Sequence, residues 1–178
     1  MRLFYALMPS DRMIAAVQPL LSGVGGARWQ TERQLHLTLR FVGEVSRRTG
    51  AELADKLAVQ MQDPPPVAFS GVGFFEKDRR PNALWARAVP KEPLAQLHRR
   101  LDRICQEAGL EPERRAYIPH MTVARLPRAA GPIHSWIEAH AGFTTEAMPF
   151  ARCSLVESMA TGEGSHYEEL AWIDLGQD

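Results

Sequence analysis

The clearest alternation of apolar and polar positions runs over residues 35–42. Leu35, Leu37, Leu39 and Phe41 take one parity, and His36, Thr38 and Arg40 take the other. Such a pattern predicts a half-buried strand whose i and i+2 side chains share a face about 7 Å apart. It returns at 118–124, where Met121 and Val123 oppose His120 and Thr122. Two strands are thus predicted to present the same His-x-Thr pair, one imidazole and one hydroxyl each. Strict alternation puts Arg40 on the His36 face, and Phe41 and Arg125 on the opposite faces.

The rest of the chain is read around these strands. Residues 3–8 form a short apolar run, predicting a strand covered on both faces. Ser10 is placed to cap a helix reaching about Leu21, with Ile14, Val17, Leu20 and Leu21 at helical spacing. Residues 23–26 predict a loop that lacks the strand–helix context and the Lys-Ser/Thr of a phosphate loop. Helices are predicted over 49–61, stopped by Pro64–Pro66, over 92–108, closed by Gly109, and over 133–140. Further strands are predicted at 67–72, 82–89, 143–150, 152–158 and 167–175, the last two joined as a hairpin. Residues 73–81 predict a mixed loop carrying Arg79 and Arg80.

Each half therefore reads strand, helix, His-x-Thr strand, helix, strand. Leu3 and Leu84 open corresponding strands, and His36 and His120 correspond. This internal repeat predicts two similar lobes related by a pseudo-two-fold axis, with the motif strands facing one another across a cleft.

Composition narrows the class. At 178 residues, 45% hydrophobic and 24% charged, the chain suits one globular domain over 1–178. Lys+Arg and Asp+Glu are both 21, so no global basic field holds long nucleic acid; such a substrate would be recognised locally, at an end. The cations are mostly Arg, which suits bidentate phosphate contacts and equally reflects a compositional bias. Cys105 and Cys153 have no CxxC spacing and read as structural thiols. No run approaches ~20 apolar residues, and the N-terminal run is too short for a signal sequence. A soluble cytoplasmic protein is the expectation, acting as a monomer and away from membranes.

In-line displacement at phosphorus needs a base on one side and an acid on the other. Two imidazoles supply both near neutral pH, and two threonine hydroxyls can donate to the non-bridging oxygens. A single strand histidine is ordinarily structural; two matched copies of the motif reverse that balance. His98, His134, His140 and His166 have no such context. No HExxH, clustered carboxylate or Cys/His spacing offers further metal ligands, so neither a metal nor a cofactor is expected. The chemistry read from the residues is metal-free phosphodiester hydrolysis.

The doubled motif, with Arg2-Leu3-Phe4-Tyr5-Ala6-Leu7, Arg80-Pro81-Asn82-Ala83-Leu84-Trp85 and Leu155-Val156-Glu157-Ser158, resembles the 2H phosphoesterases. The nearest likeness is to RNA 2′,3′-cyclic phosphodiesterases, once called 2′-5′ RNA ligases. The resemblance implies an α+β, bilobal fold with antiparallel-rich sheets lining a central groove and helices outside. It implies opening of a terminal 2′,3′-cyclic phosphate to a 2′-phosphate, with RNA ends or small cyclic nucleotides as substrate. His36 would be the general acid and His120 the general base. Thr38 and Thr122 match phosphate-binding hydroxyls, and Arg125 matches a basic residue after the second motif. Arg40 at a groove rim reads equally as a substrate contact or a solvated charge. Arg79 and Arg80 in their loop are candidates beside the commoner reading of unspecific exposed cations. Tyr167 reads as packing in its strand in preference to stacking on a base. Alternatives are ATP-independent 2′-5′ ligation, hydrolysis of a small cyclic nucleotide or 2′-5′ oligonucleotide, and a non-catalytic RNA-end binding module.

Overall fold

Among the described residues, seven of eight strands lie along one hydrogen-bonded path. The computed structural model describes residues 1–60, 63–162 and 164–175. The strands are β1 (Arg2–Met8), β2 (Arg28–Trp29), β3 (Leu37–Glu44), β4 (Ala68–Lys77), β5 (Arg80–Val89), β6 (His120–Arg125), β7 (Arg152–Thr161) and β8 (Gly164–Asp174). Their order is β4-β5-β6-β3-β1-β7-β8, with β2 beside β6, and the paired strands are antiparallel. Four α-helices complete an α+β fold: α1 (Asp11–Val17), α2 (Arg47–Gln60), α3 (Lys91–Glu107) and α4 (His134–His140).

Strands from the two halves of the chain interleave in this sheet. β1 of the first half pairs with β7 of the second, and β4 of the first half pairs with β5 of the second. Each half thus sends its third strand into the other half's side of the sheet. Pairing register aligns Tyr5, opposite Arg40, with Leu84, opposite Ala124, so the two strand starts correspond at a different offset from the Leu3–Leu84 match.

One face of the sheet carries the core. Leu3, Tyr5 and Leu7 of β1, Leu37 and Leu39 of β3, Leu84 and Ala86 of β5, and Met121 and Val123 of β6 are buried together with Leu53 and Leu57 of α2 and Leu94, Leu97, Leu101 and Ile104 of α3. Burying each large side chain stabilises by roughly 1.5–3 kcal/mol. The Tyr5 hydroxyl, unable to stay unpaired there, donates to the Leu53 carbonyl at 3.0 Å. The other face carries a smaller cluster of Phe4, Ala6 and Val156, with Met8 and Tyr167 against it. That face is where His36 and His120 project.

Several local expectations change. Ser10 caps α1 by accepting the Met13 N–H, but the helix tightens to a 3-10 turn at Gln18, just before Pro19. The helix expected over 49–61 starts earlier; its last residue, Met61, lies outside the described residues. Residues 73–81 are not a loop, because β4 and β5 continue to a two-residue turn of Asp78 and Arg79, both at positive φ. Positive φ at both central positions is the twist-matched hairpin turn, normally announced by Asn-Gly or Asp-Gly. Residues 143–150 make only isolated bridges to Val67 and Ser70, since the Thr145 hydroxyl takes the Phe69 N–H that a neighbouring strand would bond. The β7–β8 hairpin closes at Thr161 and Gly164, with Glu163 outside the described residues.

Candidate active site

The two motifs meet at the centre of the sheet, side by side. β3 and β6 are bridged antiparallel at Leu37 and Met121. Carrying that register one residue either way sets His36 beside Thr122 and Thr38 beside His120. The pairing is itself two-fold symmetric.

Each imidazole is locked by its own strand. His36 Nδ1 is 2.7 Å from the Gln34 carbonyl and His120 Nδ1 is 2.6 Å from the Ile118 carbonyl. A carbonyl only accepts, so Nδ1 carries the proton and donates. Nε2 is then the free nitrogen of each neutral ring. Aromatic rings wall both histidines: Phe4 at 4.9 Å and Tyr167 at 5.2 Å from His36, Phe75 at 4.8 Å and Trp85 at 6.0 Å from His120, between ring centroids. Gly73 makes the second wall possible, because a Cβ there would fall 2.4 Å from the Trp85 ring.

Burial is the main reason both rings hold a proton weakly. It takes His36 down to about 4 and puts His120 below its ordinary value. The Nδ1 hydrogen bonds oppose this shift. Arg125 reinforces it at both rings, and His120 reinforces it at His36. Both are therefore neutral near pH 7, and an anion held close to them would raise both.

Bulges decide what else faces the groove. In β3, Thr38 opposes Ala6 but Arg40 opposes Tyr5, leaving Leu39 as an extra residue. In β6, Thr122 opposes Trp85 but Ala124 opposes Leu84, leaving Val123 extra. One extra residue reverses the facing of everything after it. Phe41 thereby turns to the groove side, 44% exposed and 6.1 Å from Phe4. Arg125 does the same in β6, sharing the wall of the groove with His36.

Arg40 also lines the groove, but as an engaged side chain rather than an exposed cation. It is buried, with Nε 2.6 Å from the Asp102 carboxylate of α3 and its other nitrogens donating to the Phe41 and Glu111 carbonyls. It braces β3 against α3. Beyond it, Asp102 accepts the Glu113 N–H, Glu113 pairs with Arg115, and Arg115 lies 5.9 Å from the Phe41 ring.

The groove encloses 560 Å³ and is lined by Phe4, His36, Phe41, Arg115, Arg125 and Tyr167 among others; His120 stands beyond its edge. Thr38 is half-buried and Thr122 nearly buried. Phe4, Phe75, Trp85 and Arg115 were not marked by the sequence: Phe4 and Trp85 sit in apolar strand runs that look like core, and Phe75 and Arg115 fall in segments that read as loop and charged connector. Among the described residues, no three His, Cys, Asp or Glu side chains converge as a metal-binding set.

An antiparallel-rich α+β sheet with two His-x-Thr strands side by side is the arrangement expected of a 2H phosphoesterase. The family is fixed by sequence: the chain belongs to the 2′-5′ RNA ligase superfamily, whose model matches residues 9–157. It is 27% identical to an RNA 2′,3′-cyclic phosphodiesterase of Archaeoglobus fulgidus, over 96% of this chain and 98% of that protein. A protein of the same name from Methanothermobacter thermautotrophicus is 30% identical, over 90% and 89%. The crystal structure of TT0787 of Thermus thermophilus superposes with a TM-score of 0.72 at 25% identity, covering 98% of each chain. Escherichia coli LigT in apo form shares the fold at a TM-score of 0.67 and 21% identity, covering 99% of this chain and 98% of that one.

Proposed function

We propose that this phosphodiesterase opens RNA 2′,3′-cyclic phosphate ends to 2′-phosphates, without metal, using His36 as acid and His120 as base. The observation that carries the reading is the matched pair of imidazoles on touching strands, each with Nδ1 donating to the carbonyl two residues before it. His120 Nε2 takes a proton from water as its oxygen attacks phosphorus. Protonated His36 gives a proton to the departing 3′ oxygen. The weak proton affinity at His36 makes its protonated form a strong acid, and the substrate's negative charge supplies the reason for it to be protonated. Thr38 and Thr122 donate to the non-bridging oxygens, and Arg125 offsets the phosphate charge. The names carried by the relatives support the substrate class.

The test is incubation with an RNA oligonucleotide ending in 2′,3′-cyclic phosphate, in EDTA, with the product end identified against 2′- and 3′-phosphate standards. A 2′-phosphate is expected. A 3′-phosphate would reverse the substrate orientation, and loss of turnover in EDTA would remove the metal-free mechanism.

A further inference from the structure

A second cavity, of 430 Å³, opens where β5 begins and β6 ends. The β4–β5 turn walls one side with Lys77, Asp78 and Arg80, and the segment after β6 walls the other with Leu126 and Arg128. It is the counterpart of the groove under the internal two-fold relation. Leu3 and Val42 line the first cavity, and their equivalents by pairing register, Asn82 and Leu126, line the second. Arg125 connects the two: it lines the groove, and the next residue, Leu126, donates its N–H to the Asn82 carbonyl at 2.9 Å.

Charge distinguishes this end. Lys77, Arg80 and Arg128 are exposed, and Asp78 is the one carboxylate in the cavity wall. Arg79 at the turn and Arg28, opposite Arg125 on β2, extend the strip. None of these cations, nor Arg125, has an ion-pair partner among the described residues. A chain with no net charge has thus gathered free cations along one line leading out of its catalytic groove. Arginine's planar fork fits phosphate oxygens.

We infer that this cavity is a second backbone site, binding a phosphodiester of a polynucleotide whose reacting phosphate lies between His36 and His120. It rests on the proposed function and extends it from a terminal group to a strand. Continuity through Arg125 favours a nucleic acid over an acidic peptide. Two strands can supply the phosphodiester: the substrate's own chain 5′ to the cyclic end, or a second strand whose 5′-hydroxyl stands where water attacks.

The test uses the Arg80→Ala/Arg128→Ala double variant and an unreactive RNA octamer ending in 3′-phosphate, with binding followed by fluorescence anisotropy across a salt series. Affinity should fall about tenfold, and the slope of log K against log salt should flatten by about 1.4, the value for two lost single-strand contacts. Arg100→Ala/Arg103→Ala on α3 serves as control and should keep the wild-type slope. An unchanged slope in the cavity variant, or an equal change in the control, overturns the inference. Kinetics separate the sources. A fall in kcat/KM for a cyclic-ended octamer relative to a nucleoside 2′,3′-cyclic phosphate identifies the substrate's own chain. A constant ratio with weaker binding of a 3′-hydroxyl octamer identifies the second strand. Wild-type inactivity on both cyclic substrates would sink the phosphodiesterase reading while leaving the salt-slope test decisive for the cavity.

Discussion

The β3 motif and the β6 motif share their chemistry and differ in everything that follows it. Both lock Nδ1 on a carbonyl two residues earlier, and both carry a bulge directly after the threonine. The residue that the bulge turns inward is Arg40 at one end and Ala124 at the other. The residue it turns to the groove is Phe41 at one end and Arg125 at the other. The two motifs share the His-x-Thr pair and its Nδ1 lock and diverge in the residues after the bulge. One end offers rings, the other offers charge.

The largest effect should come from breaking what the two motifs share. His36→Ala and His120→Ala are each expected to lower kcat by about 10²–10⁴, and the double variant by far less than the product, because acid and base act as a unit. Near-wild-type turnover in either single variant would falsify the role given to that histidine.

Next comes the brace present at one end only. Arg40→Ala leaves the Asp102 carboxylate partly buried beside α3 without its cation, and should cost about 3–5 kcal/mol of stability. The Ala124→Ser variant should show no comparable loss. Thermal or urea unfolding measures both, and a mild Arg40→Ala phenotype would mean that water reaches Asp102.

The groove-facing pair sharpens the contrast further. Phe41→Ala should raise KM about tenfold for a purine end if the ring stacks on a base, worth ~1–3 kcal/mol. Arg125→Ala should raise the pKa of both imidazoles, since a positive charge beside them is removed. Imidazole proton shifts followed by NMR titration would detect this, and unchanged titration would separate Arg125 from the histidines.

The smallest effect is on pH-dependent stability. Below about pH 6.5 the unfolded chain binds protons that His36 and His120 resist in the fold, so it binds more of them. Stability is then complete above that pH and falls as pH drops toward about 4, the folded value at His36. His36→Gln should flatten this acid limb in urea titrations more than a surface variant such as His134→Gln does.

The residues that could be read in advance are those governed by period two and by repetition. Alternation around His36 and His120 holds up to each threonine, so the faces of Leu37, Thr38, Met121 and Thr122 follow from spacing alone. Past the threonines it misplaces Arg40, Phe41 and Arg125 together, for a single reason. A bulge is a mismatch of counts between two strands, and one strand's sequence carries no mark of it. The Asp78-Arg79 turn escaped similarly, since arginine at positive φ is not the residue that announces a tight hairpin.

By itself, the sequence determined the two His-x-Thr strands and the doubling of their motif, because side-chain period is a property of consecutive residues, and the α+β class followed from the family resemblance. Tertiary structure decided that the motif strands touch rather than merely face, that each half lends a strand to the other, and that Arg40 is a brace while Arg125 reaches the groove. These depend on pairing register between segments distant in the chain, which no local pattern encodes.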